Sequence, residues 1–99
     1  MKAILLDVKD NVATCTADVA AGVSVECIGV GRATVTSVEA IPSWHKIALR
    51  SIRKGDRVIK YGETIGEAIA DIAEGGWVSH QNIVSVPRDY ADEYINAGK

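Results

Sequence analysis

The sequence predicts an all-β domain, and three observations carry that expectation. Short segments rich in Val, Ile, Thr and Ala recur along the 99 residues, punctuated by glycine and by Asp10-Asn11, as expected for many short strands rather than helices. One frame recurs three times: "DVAAGVSV" (Asp18 to Val25), "SIRKGDRV" (Ser51 to Val58) and "DIAEGGWV" (Asp71 to Val78). Only the C-terminal "PRDYADEYINAGK" reads as a helix, with Pro87 suited to a first turn, acids following early and Gly98 placed to cap it.

In chain order, strands are expected over residues 2–8 and 11–16, joined by the polar turn formers Lys9, Asp10 and Asn11 as a hairpin. A second hairpin joins residues 24–29 and 33–38 through "IGVGRATV", where Gly29 and Gly31 are free to take positive φ. Further strands are expected over residues 46–49, 57–60, 64–70 and 77–86, with Tyr61-Gly62 forming a turn and Trp77 in the core. The repeated frame places a β-branched plug (Val19, Ile52, Ile72) three residues before a glycine (Gly22, Gly55, Gly75), and a valine (Val25, Val58, Val78) three residues later. This describes one tight turn feeding a strand, used repeatedly. The segments between copies do not match one another, which excludes a solenoid.

Length and composition describe one domain: a β module over residues 1–86 and a helical tail over 87–99, with 47% apolar and 24% charged residues. A domain of this size buries a modest fraction of its surface, so a partner or a homo-oligomer is compatible with it. No apolar run is long enough to span a bilayer, and "MKAILLD" is too short for a signal peptide. A cytoplasmic location without a membrane partner is therefore expected. Cys15 and Cys27, twelve residues apart and without a CxxC pair, are expected as reduced, buried strand residues. A net charge of −2 argues against nucleic-acid binding. Charge is nevertheless uneven: Lys46, Arg50, Arg53, Lys54, Arg57 and Lys60 share fifteen residues with a single acid, Asp56. That cluster is either a solvated face or a field for an anionic ligand.

The stretch "HKIALRSIRKGDRVIKYGETIGEAIADIAEGGWV" (His45 to Val78), with Asn82 and the looser "DNVATCTADVAAG", resembles the SAF-type domain of the altronate and galactarate dehydratase family, including the small subunit of two-chain relatives such as sulfolactate sulfo-lyase. The resemblance implies a β-clip-like barrel with short helical turns. It implies elimination chemistry on hydroxy acids: loss of water from a sugar acid or, as an alternative, of sulfite from sulfolactate. A non-catalytic module that binds a small anion or a protein is a further alternative. The chain supplies few of the groups that an elimination needs, so the partner is expected to be a large catalytic dehydratase subunit or domain. Any divalent iron or manganese is expected on that partner and no cofactor in this chain.

Carried over residue by residue, the resemblance makes His45 the candidate acid, base or ligand. Lys46, Arg50 and Lys60 are candidate binders of the carboxylate of a small anionic hydroxy acid, on one functional face with His45. Family members read WVHxHN where this chain reads "WVSHQN", so Ser79 and Gln81 occupy the two histidine positions and His80 lies between them. On a strand His80 would face away from Ser79 and Gln81. Neutral oxygen donors replace imidazole poorly on a transition metal, which removes metal ligation from this chain and leaves Ser79, His80, Gln81 and Asn82 as candidate substrate contacts.

Overall fold

The structure is a computed structural model and describes residues 2–85; the helix expected near residues 89–96 lies outside the described residues. Nine strands and no helical turn occur among the described residues: β1 (Lys2–Leu5), β2 (Val12–Cys15), β3 (Ser24–Gly29), β4 (Arg32–Thr36), β5 (Lys46–Ala48), β6 (Arg57–Lys60), β7 (Glu63–Ala68), β8 (Trp77–Val78) and β9 (Ile83–Val84). They form a six-stranded sheet in the order β4-β3-β1-β2-β5-β8 and a three-stranded sheet in the order β6-β7-β9. No helix of the described residues is long and apolar enough to cross a membrane.

Both expected hairpins form, β1 with β2 and β3 with β4. The glycines of the second act differently from the expectation, because neither Gly29 nor Gly31 takes positive φ. Gly29 is needed for close approach: β1 pairs in parallel with β3 at Leu5↔Gly29, and a Cβ there would collide with the Leu5 backbone carbonyl. The turn at Tyr61-Gly62 forms as expected, with φ of 59° and 72°, joining Lys60 to its cross-strand partner Glu63. Positive φ at both central residues is the signature of the two-residue hairpin turn whose twist matches its strands.

The repeated frame is borne out and extended. Val19, Ile52 and Ile72 are buried, Val25, Val58 and Val78 are fully buried, and Gly22, Gly55 and Gly75 have φ of 80°, 93° and 84°. A fourth copy runs from Ile41 through Trp44 to Ile47: both isoleucines are buried, and Trp44 takes the glycine role with φ 66°. The N–H of each left-handed residue donates to a carbonyl of another segment: Gly22 to Ser37, Trp44 to Cys15, Gly55 to Ala68 and Gly75 to Ala48, at 2.7–2.8 Å. The copies associate in pairs, Val19 bridging Ile41 and Ile52 bridging Ile72. In each pair an aspartate from one copy caps the partner's turn: the Ser43 N–H donates to Asp18 Oδ1 and the Lys54 N–H to Asp71 Oδ1, both at 2.8 Å.

Strand alternation distributes the apolar residues over two cores. Ala13, Cys15 and Ile47 face one core with Ala3, Val25, Cys27 and Val35. Val12, Ala48 and Val78 face the other, against Ile52, Val58, Ala68 and Ile72. Strand β2 is buried on both faces for this reason. The second sheet is tied on through Asn11, whose Oδ1 accepts from the Ile59 N–H while its Nδ2 donates to the Arg57 carbonyl. The buried Asp10 carboxylate accepts from the N–H groups of Tyr61 and Gly62. Asp10 and Asn11 thus join the two sheets, beyond the local turn expected of them.

Candidate functional site

Lys46 is the most unusual of the basic residues. Its neighbour Ile47 enters one core, so the lysine side chain takes the opposite face of β5, beside its cross-strand partners Thr14 and Val78. Burial, and secondarily the nearby Lys60, lower its affinity for a proton below that of an ordinary lysine. Thr14 is buried, and its Oγ1 is without a hydrogen-bond partner. The Lys60 ammonium stands 4.9 Å from the Tyr61 ring centroid. Two cations thus lie on this side of β5, beside a buried hydroxyl without a partner, and their charge suits an anion. Nothing in the sequence marks Thr14, because its place beside Lys46 arises only from cross-strand register.

Arg50 is exposed and donates through Nη2 to the Asp10 carbonyl at 3.3 Å, so it fastens the loop before β2. His45 lies elsewhere. It precedes Lys46 and takes the face of Ile47 and Trp77: the Trp77 indole Nε1–H donates to His45 Nδ1 at 3.1 Å, and the rings meet edge to face at 5.4 Å. Accepting at Nδ1 places the ring proton of neutral His45 on Nε2. The structure therefore puts Lys46 on one side of β5, close enough to Lys60 to feel its charge, and His45 on the other. Trp77 packs partly buried against the first core and also lines an open groove of about 590 Å³ with Val19, Ala20, Ala40, Ile41 and Pro42.

The strand expected over residues 77–86 is corrected: it breaks after Val78, and β9 resumes at Ile83. Residues 79–82 form a turn instead. The Ser79 N–H donates to Asn82 Oδ1, Asn82 Nδ2 donates to the Trp77 carbonyl, and the Gln81 N–H donates to Ser79 Oγ. These bonds offer the backbone a local alternative to continued pairing. Ser79 and Asn82 are thus engaged in shaping the turn, while His80 and Gln81 are exposed at its tip. The strand-face argument for His80 does not apply. Among the described residues no three His, Cys, Asp or Glu side chains converge as metal ligands. Ser79 Oγ accepts from a backbone amide and, as a neutral oxygen, replaces imidazole poorly on a transition metal.

A family model for the altronate/galactarate dehydratase SAF domain matches residues 1–86. The chain belongs to this family. The SAF domain is 45% identical to altronate dehydratase of Escherichia coli (strain K12) over 82 residues, 83% of this chain and 16% of that protein. It is 44% identical to the (2R)-sulfolactate sulfo-lyase subunit alpha of Paracoccus pantotrophus over 48 residues, 48% of this chain and 72% of that subunit. Galactarate dehydratase (L-threo-forming) of Escherichia coli is 40% identical over 47 residues, 9% of its length. The SAF domain therefore spans about a sixth of the altronate dehydratase it resembles.

Proposed function

We propose that this SAF domain is a non-autonomous part of a carbon–oxygen lyase that dehydrates sugar acids of the altronate or galactarate type, working with a large catalytic subunit or domain. The observation that carries this reading is the match to altronate dehydratase over 83% of the chain. Dehydration breaks a C–H bond next to the carboxylate and passes that proton to a base, while the β-hydroxyl takes a proton from an acid and leaves as water. Lys46 and Lys60 suit the task of holding the carboxylate, because a charge contact strengthens as water is excluded from around it. In this reading any divalent iron or manganese belongs to the large chain. A second reading, the alpha subunit of a sulfolactate sulfo-lyase, is favoured by the 72% coverage of that small subunit; sulfite then leaves in place of water.

The test is reconstitution with the large dehydratase-type chain of the same genome, followed by assay on altronate, galactarate and sulfolactate. The SAF domain alone should turn over none of them, and the mixture should act on one. In the active mixture, Lys46→Ala and Lys60→Ala should each lower kcat/KM by about thirty- to a thousandfold. His45→Ala tests whether the Trp77-bonded ring also contributes. Wild-type kcat/KM in all three variants would favour the alternative of a small-anion or protein binding module.

A further inference from the structure

We infer that Trp44 and the apolar groove beside it form the surface on which the large catalytic subunit or domain docks. The inference rests on the proposed function for the partner's identity, and on the following observations for its place. The four copies of the turn frame are an internal comparison: three put glycine at the left-handed position, and the fourth puts tryptophan there with φ 66°. A bulky side chain in that conformation costs about 1–2 kcal/mol. The same indole is 67% exposed, so the strain is not offset by burial within this chain. An outlier held by its surroundings without benefit to the isolated fold points to function. The fold does hold it, since the Trp44 N–H donates to the Cys15 carbonyl at 2.7 Å and the His45 N–H closes the turn onto the Pro42 carbonyl at 3.2 Å.

The place of this residue agrees. Trp44 stands two residues after Pro42, which lines the groove, and next to His45, bonded to Trp77, which also lines it. Apart from Asp18, whose Oδ1 accepts from the Ser43 N–H, the lining is Val19, Ala20, Ala40, Ile41, Pro42 and Trp77. An exposed tryptophan in the segment that borders an apolar groove suits an interface anchor. The chain aligns with 16% of altronate dehydratase, so the proposed partner is much larger than this domain and needs a surface on it. The segment that borders this groove is where the chain bears strain and an unburied indole.

The experiment measures complex formation with the large dehydratase-type chain of the same genome by calorimetry, independently of turnover. Trp44→Gly should raise the melting temperature of the SAF domain, by relieving the left-handed strain, and weaken the complex at least tenfold. Trp44→Ala should weaken it similarly without that gain in melting temperature. Unchanged affinity in both variants, or no complex with the wild-type chain, would overturn the inference. So would self-association of the wild-type chain that Trp44→Gly abolishes, which assigns the groove to a second copy. A shift of the Trp44 indole resonance on deletion of residues 86–99 would assign the groove to the chain's own C-terminal segment and also overturn it. A complex that depends on Trp44 yet turns over no hydroxy acid leaves the docking surface standing and removes the proposed function. Turnover that is indifferent to Trp44 does the reverse.

Discussion

Thr14 and Lys46 face each other across β2 and β5, and each bears a cost that the isolated fold does not recover. The Thr14 hydroxyl is buried without a hydrogen-bond partner. Replacing it with the isosteric methyl of valine should raise the unfolding free energy by about 1 kcal/mol, read by urea denaturation. A loss of stability would mean that the hydroxyl has a partner after all. For Lys46, burial and Lys60 lower the folded-state pKa from the ordinary 10.5, so the charged form is disfavoured on folding. That penalty is fully present below the lowered pKa and disappears as pH rises towards 10.5. Lys46→Met should therefore melt higher than wild type at pH 7, with the difference shrinking as pH approaches 10.5. A constant difference across that range would exclude the electrostatic cause.

Among the elements, the four turns share one backbone conformation but not one tolerance to substitution. A Cβ on Gly22 would meet no atom within 4 Å, whereas on Gly75 it would collide with the Thr36 carbonyl oxygen. Both glycines have positive φ, so each alanine substitution costs the left-handed strain of about 1 kcal/mol. Gly22→Ala should lose about that much and remain folded. Gly75→Ala should lose considerably more, because its turn must separate from the carbonyl of Thr36 at the end of β4. Thermal melts of the two variants side by side distinguish these outcomes. Equal losses would show that φ alone explains the glycines. The frame was readable in three copies because glycine marks the turn in the sequence. Its fourth copy was hidden by Trp44, where tertiary hydrogen bonds impose a conformation that tryptophan does not signal.

Across the whole molecule, Cys15 and Cys27 lie fully buried on the two strands that flank β1, and both face the first core. Burial raises both thiols, and the Cys27 thiol is pushed up to about 11, with Cys15 adding to the shift. A native chain should therefore react with a thiol reagent at pH 8 only as fast as the sheet opens, and the denatured chain promptly. Prompt labelling of the native chain would mean that this core opens locally. The same shift has a consequence for stability. The unfolded thiol ionises near 9 and the folded Cys27 near 11, so the stability from keeping it neutral is present below 9 and declines as pH rises from 9 to 11. Cys27→Ser should flatten that part of the pH profile.

Local chemistry made much of this protein legible. Hairpins around polar or glycine-rich turns, the Tyr61-Gly62 turn, buried strand cysteines and a β-branched plug before each glycine all follow from short-range sterics and from which side chains leave water. The family was readable too, because "HKIAL" and "GDRVIKYG" lie in long ungapped agreement with it. Long-range pairing was not readable. The parallel approach of β1 to β3 sets the need for Gly29, the second sheet makes Asp10 and Asn11 ties between sheets, and the Ser79–Asn82 bonds interrupt an expected strand. Likewise His45 and Lys46, adjacent in sequence, serve opposite faces of β5, while Lys46 comes within reach of the charge of Lys60 on the other sheet. Periodicity states which residues alternate, but a face acquires its meaning only from what packs against it. That depends on contacts between segments dozens of residues apart, for which a local pattern has no signal.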